Sequence, residues 1–368
     1  MPIAADRLDE AEEWMRLLLV PNLPVPLALR AVQTFGGVAE ALSAPLKELA
    51  REVGGRMAEA MRAVGRGARD DELDVALNWL TSRPQTALLP LYDPLYPQQL
   101  IEAGTAPLAL FLCGDAEVLH KQRVAVVGTS RPDAEGRTNA ADFGAALARA
   151  GAVSVAALEM PDDVGGAVLE GALSVKGAPI ALLATGPDRA LSAISQLQHR
   201  VVDEGGLLIS AAFPGASTDE HSRRVRDALL ANFAPRLLVI EAERNDSVMN
   251  IARQAADAGV QVGAVPGSIH NPAYKGCHQL IRDGAALVEM ITDIGLRKAP
   301  AGKLMTYCAR VFPGQAFSMF GKPFRTTIFL DSALSSEKRM RSRCHGTDLG
   351  DRRKTFCGWR HCSGIGRL

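Results

Sequence analysis

The stretch VAVVGTSRPDAEGRTN, residues 124–139, decides the fold class of this sequence. It opens with an apolar run that ends at Gly128, continues through a polar loop, and then enters a segment with helical periodicity. Apolar strands of this length are buried on both faces, which is typical of a parallel sheet with helices on either side. The stretch therefore predicts the first strand, loop and helix of a Rossmann-like unit.

The same pattern recurs through the centre of the chain. Short apolar runs alternate with stretches of helical spacing and lie at residues 152–157, 179–185, 206–210, 237–242 and 262–267. An α/β fold with a doubly wound parallel sheet explains this alternation best. We therefore predict an extended Rossmann-like parallel sheet domain over residues 106–296.

The start of the chain has apolar residues at helical spacing, interrupted by prolines and a glycine pair. This pattern predicts a small helical domain over residues 1–76 and a Pro-rich linker over residues 77–105. Residues 17–37 are similar to a helix-hairpin-helix, but Asn22 and Pro24 stand where hairpin glycines are expected. Because proline has no N–H to offer a phosphate, a helical packing module is the favoured interpretation.

Length and composition exclude several classes of protein. A chain of 368 residues indicates two or three domains with cores of their own. No apolar run reaches the roughly 20 residues that cross a bilayer, and the acidic start is unlike a secretory signal. Only Cys113 and Cys277 precede residue 297, which argues against a disulfide framework. We expect a cytoplasmic protein with no membrane partner.

Residues 297–368 differ in composition from the rest of the chain. They carry 15 Lys and Arg against 4 Asp and Glu, whereas the first 296 residues carry 26 against 37. The zinc-type ligands of this tail are Cys344, His345, Cys357, His361 and Cys362. Their spacing matches no zinc finger, so no metal site is expected. The lack of periodicity favours a basic disordered extension or a shifted reading frame over a packed domain.

The loop after the first central strand contains residues that suit a phosphate. Gly128 ends the strand, Thr129 and Ser130 offer hydroxyls, and Arg131 supplies a cation just before a helix. The loop has neither the GxGxxG spacing of a dinucleotide site nor the GK[ST] of a P-loop. We predict a phosphate-binding loop at these four residues and no bound cofactor.

Nucleic-acid binding requires local concentrations of cations, because most of the chain is acidic. The candidates follow predicted strands and are Arg131, Arg137, Arg223, Arg224, Arg226 and Lys275. The three arginines at 223–226 span about one helical turn, so they can meet one DNA backbone. The alternative is that they are solvated or pair with Asp219, Glu220 and Asp227, and the residues themselves leave both interpretations open.

The residues before 297 do not favour catalysis. Cys277 and His278 are adjacent in sequence, and adjacent side chains seldom face each other as nucleophile and base. Glu159, Asp162 and Asp163 form a carboxylate group that can serve acid–base chemistry or magnesium, but such residues after a strand more often cap a helix or face solvent. We expect a binding protein without enzymatic activity.

Three segments in this order resemble the DprA (Smf) family of DNA-processing proteins. They are YPQQL at 96–100, VVGTSR at 126–131 and AVPGSIHNPAYKGCHQLIRDGAALV at 264–288. The resemblance covers about residues 90–290, with a helical start where that family often carries a sterile-alpha-motif-like domain. It implies an extended Rossmann domain that forms a homodimer. It also implies binding and protection of incoming single-stranded DNA and loading of a RecA-type recombinase during natural transformation.

The sequence departs from the family pattern around the expected binding site. The family's Ser-Gly pair after the second strand is replaced by Ser154-Val155, and its Arg-Arg-Asn-Arg signature reads Arg223-Arg224-Val225-Arg226. The family's Ser-Gly-Ser loop reads Asp246-Ser247-Val248, and its winged-helix end has no counterpart in the tail. These changes predict a reduced capacity to bind anions.

Two further expectations concern assembly and an alternative function. Phe143, Ala146, Leu147 and Ala150 share one helical face, which either receives a second copy of the chain or covers the sheet. The alternative function is binding or hydrolysis of a nucleotide derivative, as in related phosphoribohydrolases. Those enzymes carry a PGGxGT-like loop, and the matching region VIEAERNDSVMN, residues 239–250, lacks it.

Overall fold

The computed structural model describes residues 2–83, 85–189 and 192–295. The tail predictions for residues 297–368, including the zinc-type ligands, lie outside this part of the chain. The α-helices of the described part are α1 (Leu8–Leu18), α2 (Val25–Phe35), α3 (Val38–Ser43), α4 (Leu46–Val53), α5 (Gly55–Gly65), α6 (Asp70–Ser82), α7 (Gln98–Glu102), α8 (Ala134–Arg149), α9 (Val164–Ser174), α10 (Ser195–Asp203), α11 (Glu220–Asn232), α12 (Val248–Asp257) and α13 (Lys275–Arg282). Short 3₁₀ turns occupy Ala5–Arg7, Ala116–His120, Pro272–Tyr274 and Ile291–Ile294.

One mixed sheet forms the centre of the described structure. Its strands are β1 (Thr86–Pro90), β2 (Ala109–Gly114), β3 (Arg123–Val127), β4 (Val153–Ala157), β5 (Ile180–Leu183), β6 (Leu207–Ser210), β7 (Arg236–Val239), β8 (Gln261–Ala264) and β9 (Ala286–Leu287). They lie in the order β1-β2-β6-β5-β4-β3-β7-β8-β9. All neighbours from β6 through β9 in this order pair in parallel. Strand β2 pairs antiparallel with both β1 and β6. The predicted Rossmann-like α/β class is confirmed.

Strands β3 to β8 coincide with the six apolar runs that predicted them, because strands buried on both faces are continuous in hydrophobicity. The antiparallel edge departs from the all-parallel sheet of the prediction. Residues 77–105 are also not a linker throughout, since they contain the end of α6, β1 and α7. Pro90 ends β1, where the missing N–H costs no central ladder bond.

The helical start and the sheet share one hydrophobic core. Trp14, Leu49 and Met61 of the helices belong to the same buried cluster as Val124 of β3 and Leu169 of α9. The other sheet face forms a second cluster with α7, α11, α12 and α13. In the helical start, Asn22 adopts the left-handed φ of +53° and so takes the conformation expected of a hairpin glycine. The predicted packing role of this module accounts for its buried face.

Helices α8 and α9 pack unusually close to each other on the first sheet face. A side chain at Gly144 of α8 would overlap the Val168 carbonyl oxygen, and one at Gly171 of α9 would overlap the Ala141 carbonyl oxygen. Phe143 and Leu147 are buried within this same layer. Phe143 and Leu147 therefore cover the sheet, whereas Ala146 is half-buried and Ala150 is exposed, so a contact of this face with a second copy stays a prediction. No helix among the described residues has the length and apolarity to span a membrane.

Replacing Gly144 with alanine tests this close helix contact. The added methyl group meets backbone rather than a movable side chain, so we expect a loss of about 1–3 kcal/mol in the free energy of unfolding. Chemical denaturation monitored by circular dichroism measures it. Gly55→Ala is the matched control, since nothing lies within 4 Å of its added methyl and its stability should hold or rise. Equal unfolding energies for the two variants would contradict the packing argument.

Candidate functional site

The strand order reverses at β3, whose neighbours are β4 on one side and β7 on the other. In open parallel sheets ligands bind at the carboxyl ends of the strands beside such a reversal. The loops that follow β3, β7 and β8 meet at this edge, and we call it the carboxyl edge. It contains the predicted loop Gly128–Arg131 and Lys275.

Backbone hydrogen bonds hold these three loops together. The Thr129 N–H donates to the Glu241 carbonyl oxygen over 2.9 Å, and the Gly276 N–H donates to the Ala242 carbonyl oxygen over 2.7 Å. The Asn271 side chain donates to the Asp133 carboxylate over 2.8 Å. The tertiary structure thus brings Arg131 and Lys275 to one edge although they lie far apart in sequence.

The predicted phosphate loop has mixed roles. Gly128 is required for packing, because a side chain there would overlap Val164 at the start of α9. The Thr129 hydroxyl accepts a long 3.4 Å hydrogen bond from the Arg131 N–H, and Ser130 is exposed. The Arg131 guanidinium is exposed and forms no ion pair with any other described residue. It is therefore free to meet an anion.

The helix N-termini at this edge already hold carboxylates of the chain itself. The side chains of Asp133, Asp163 and Asp219 accept the N–H groups of Gly136, Gly166 and Ser222 at 2.7, 2.7 and 2.6 Å. Asp246 similarly accepts the Val248 N–H at the start of α12, over 3.2 Å. Because these amides are the ones that bind phosphate in nucleotide sites, the chain's own aspartates occupy those positions.

The caps differ in their ionisation. The hydrogen bond from the Gly136 N–H lowers the pKa of Asp133 below its usual value. Burial dominates at Asp163 and raises its pKa to about 6, although backbone hydrogen bonds oppose the shift. Asp163 is one of the carboxylates that follow a predicted strand. It caps a helix, as the alternative to an acid–base or magnesium-binding role predicted.

Glu241, at the end of β7, is a buried carboxylate beneath the loop. Its side chain is almost fully buried and accepts the Asp133 N–H with both oxygens at 3.3 Å. Gly136 makes room for it, since any side chain there would overlap the Glu241 carboxylate. Burial raises its pKa to about 7, although the hydrogen bond from the Asp133 N–H opposes the shift. Sequence reasoning missed Glu241, and its one signal was a charged residue ending an apolar run.

Two of the three clustered arginines reach Glu159, which follows β4. Arg223 Nε lies 2.9 Å and an Arg226 terminal nitrogen 2.7 Å from the two Glu159 oxygens. Arg226 also pairs with Asp227 at 2.7 Å and is 8% exposed. Partial burial would raise the pKa of Glu159, but the two arginines lower it below its usual value. Arg226 is therefore neutralised within the fold.

The remaining cations are more open. Arg224 pairs with Glu220 on the exposed surface of α11, and Arg137 lies 3.7 Å from Asp162. Lys275 donates to the Ile269 carbonyl oxygen and forms no ion pair within the described part of the chain. The sequence offered ion pairs of these arginines with Asp219, Glu220 and Asp227 as an alternative to DNA contact. Glu220 and Asp227 form such pairs, whereas Asp219 caps α11 instead.

Arg244 is a candidate that the sequence reasoning omitted. It lies in the loop after β7, is exposed, and forms no ion pair within the described ranges. Its loop also contains Glu241 and Ala242, whose carbonyl oxygens accept hydrogen bonds from the Thr129 and Gly276 N–H groups. The carboxyl edge thus carries Arg131, Arg244 and Lys275. In the sequence, the signal for Arg244 was its position after an apolar run.

The residues considered for catalysis do not act as a pair. The buried Cys277 thiol points to the Ile240 carbonyl oxygen at 3.8 Å, and burial raises its pKa to about 12. The His278 ring instead contacts the Gly267 carbonyl oxygen at 3.0 Å. Among residues 2–83, 85–189 and 192–295, no group of three or more metal-ligating side chains is assembled.

These features define a class: a Rossmann-like domain that exposes side-chain cations at its carboxyl edge while its helix N-termini are capped internally. The family model for DNA recombination-mediator protein A matches residues 87–297. The chain belongs to this family, and the resemblance to DprA (Smf) proteins is confirmed.

Individual relatives agree with this assignment. Protein Smf of Escherichia coli K12 is 31% identical over 221 residues, which cover 59% of this chain and 57% of that protein. The putative DNA processing protein DprA of Mycobacterium tuberculosis is 36% identical over 194 residues, covering 52% and 49%. The chain spans about half the length of the curated relatives it matches.

Two solved structures share the fold. DNA processing protein A from Streptococcus pneumoniae superposes with a TM-score of 0.65 at 24% identity, covering 80% of this chain and 98% of that one. DNA processing protein A from Helicobacter pylori, described for its single-stranded DNA binding mode, gives a TM-score of 0.50 at 21% identity, covering 57% and 93%. Both support the Rossmann-like architecture.

Glu241→Gln tests the buried carboxylate. A folded-state pKa near 7, above the ordinary 4.5, means that the folded protein holds this proton more tightly than the unfolded chain. Stability from this residue is therefore greatest at low pH and falls as pH rises towards 7. Relative to the parent, the variant should gain stability between about pH 4 and pH 8, by up to about 3 kcal/mol.

Urea unfolding at both pH values measures this difference. The exposed neighbour Glu243 provides the control Glu243→Gln, which should show no comparable change with pH. A Glu241→Gln variant whose unfolding energy tracks the parent at every pH would contradict the assignment.

Proposed function

We propose that this protein binds single-stranded DNA along its carboxyl edge, protects incoming DNA during natural transformation, and delivers it to a RecA-type recombinase in the cytoplasm. The observation that carries the proposal is a set of cations without ion-pair partners among the described residues, on loops that are hydrogen bonded to one another. Membership of the recombination-mediator family supports it. So does the related Helicobacter pylori protein, which is described as binding single-stranded DNA.

The chemistry of the edge suits a DNA backbone. Affinity for nucleic acid comes mainly from Lys and Arg at phosphates, and most of this chain is acidic. The three cations come from the segments that follow three different strands, and Arg131 and Arg244 are exposed whereas Lys275 is half-buried. Cations on separate segments suit the successive phosphates of an extended strand better than one compact anion.

The same geometry disfavours the alternative of nucleotide hydrolysis. A nucleotide phosphate at the carboxyl edge would approach the amides that Asp133, Asp163 and Asp219 already occupy. It would also meet their negative charges at close range. Side chains projecting beyond the caps avoid this repulsion. We therefore propose a binding role without chemistry on the DNA.

We also propose that the protein acts as a homodimer, because two linked sites raise the avidity for one strand. The support comes from the last strand of the sheet. Leu287 of β9 and Met290 beyond it are 48% and 59% exposed. Strand β9 ends the sheet and pairs on one side with β8 in the described structure. An apolar sheet edge of this kind favours contact with a second copy.

The DNA proposal predicts a change in salt dependence. Replacing Arg131, Arg244 and Lys275 together with alanine should weaken binding to oligo(dT). It should also reduce the slope of log affinity against log salt by about 0.7 for each phosphate that the variant no longer neutralises. Fluorescence anisotropy over a salt series measures both quantities. Arg149→Ala is a suitable control, because Arg149 ends α8 at the far edge of the sheet.

Glu159→Gln extends this test to the arginine cluster. Removing the carboxylate charge releases Arg223 at the surface and leaves the neutral amide as a hydrogen-bond acceptor. DNA affinity should rise if Arg223 contacts DNA. An unchanged affinity would assign this cluster to the fold alone, whereas unchanged binding by the triple variant would overturn the proposed site.

The dimer proposal predicts the effect of charge at the β9 edge. A Leu287→Glu and Met290→Glu double variant should shift the mass in solution from two chains to one, because glutamates at an apolar contact lose hydration. Light scattering after size exclusion measures the mass. Leu46→Glu, at an exposed position of the helical start, is the control. A parent protein with the mass of a single chain at micromolar concentration would refute the dimer.

A further inference from the structure

A cavity lies between the helical start and the sheet. Its volume is about 340 Å³, at the lower end of the roughly 300–1,000 Å³ typical of small-molecule sites. The floor is formed by Cys113 of β2 and Leu208 of β6, which are paired in the sheet. One wall comes from α6 through Trp79, and the other from α10 through Gln198. We call this cavity the α6–α10 cleft.

The cleft is separate from the carboxyl-edge site. Its floor strand β6 is separated from β3 by β5 and β4. None of Arg131, Arg244 and Lys275 lines it. A ligand in the cleft would therefore engage a different group of residues from the proposed DNA site.

Gln198 gives the cleft an unmet hydrogen-bonding requirement. The side chain is 4% exposed, and its Nε2 atom has no hydrogen-bond partner among the described residues. A buried amide N–H without an acceptor costs stability, so native structures generally provide one. Gln198 lines the cavity while its Nε2 atom is itself buried, so a ligand acceptor meets this N–H once the side chain turns towards the cleft.

The inner surface is otherwise aromatic and apolar. The Trp79 ring packs edge to face against Phe111, with ring centroids 5.8 Å apart. Val202 and Leu208 also line the cleft. This setting fixes the indole and favours a flat ring that bears hydrogen-bond acceptors. Aromatic side chains and glutamine amides are the groups that proteins use to hold nucleobases.

The rim of the cleft carries several hydrogen-bond donors and one charge of each sign, Arg83 and Asp188. Arg83, Asn78 and His199 are exposed at its mouth. Burial raises the pKa of the Cys113 thiol, and the Arg83 guanidinium opposes that shift. The carboxylate at the rim, Asp188, accepts the Gly215 N–H over 2.7 Å. An anionic group on the ligand would therefore meet Arg83.

We propose that the α6–α10 cleft binds one nucleotide unit, with its base against Trp79, a base acceptor receiving the Gln198 amide N–H, and its phosphate at Arg83. The ligand is a free nucleoside monophosphate or a nucleotide of a DNA strand, which share this chemistry. The site adds a binding function beyond the carboxyl edge.

Isothermal titration calorimetry of the full chain with adenosine 5′-monophosphate tests the proposal. We expect saturable binding of one molecule per chain. Gln198→Leu should weaken it about tenfold, the usual effect of losing one hydrogen bond to a polar ligand atom. Arg83→Ala should weaken the monophosphate but leave the affinity for adenosine unchanged. Competition by oligo(dA) would identify a DNA strand as the source of the nucleotide, and its absence would identify a free nucleotide.

Matched controls keep the test decisive. Gln196→Leu changes an exposed glutamine of the same helix that does not line the cleft, so it should leave affinity unchanged. Gln198→Leu should unfold at or above the parent's temperature, because it removes an unpaired buried N–H. Arg83 is exposed, so Arg83→Ala provides a second measurement that does not perturb the core.

Two results would overturn the proposal. One is the absence of binding at low millimolar monophosphate, and the other is equal affinity in the parent, Gln198→Leu and Arg83→Ala. The triple carboxyl-edge variant separates this proposal from the DNA proposal. It should bind oligo(dT) more weakly while retaining monophosphate binding, since its substitutions do not line the cleft.

Discussion

Burial of both faces of the sheet around β3 is the constraint on which the rest of this structure depends. Val124 and Val126 face one hydrophobic cluster, whereas Ala125 and Val127 face the other. Each face needs its own helical layer, because an uncovered apolar sheet face is unfavourable in water. The helical start and helices α8 to α10 cover the first face. Helices α7, α11, α12 and α13 cover the second.

This arrangement determines what the carboxyl edge can bind. Crossovers to both faces place several helix N-termini at one edge, and the chain fills them with its own aspartates. Glu241 adds a buried carboxylate beneath the loop, so the inner layer of the edge is acidic. Cations therefore act from the outer layer, where Arg131 and Arg244 are exposed. An acidic base with a cationic rim suits a polymer that lies across the edge rather than a phosphate that enters it.

The helical start contributes more than a covering layer. Because it shares a core with the sheet, α6 is held in a defined position facing α10. The cleft lies between these two helices, with strands β2 and β6 as its floor. The proposed single-strand site and the proposed nucleotide site on one fold would let the protein respond to two features of the same class of ligand.

The sequence by itself determined the fold class, the six central strands and the family. Each of these depends on local order: apolar runs such as 124–128 encode buried strands, and the motif at 264–288 is continuous in the chain. It also located the loop Gly128–Arg131 correctly at the carboxyl end of a strand. Local periodicity is enough for such features because a strand or helix is defined by neighbouring residues.

Only the tertiary structure decided which charges remain available. Arg223 and Arg226 meet Glu159 across 64 and 67 residues of sequence, and this contact exists because α11 crosses the sheet to the end of β4. The burial of Glu241 beneath Gly136 and the unpaired amide of Gln198 likewise arise from elements distant in sequence. Ion pairing and burial depend on which surfaces meet in space, and the pattern along the chain does not encode that.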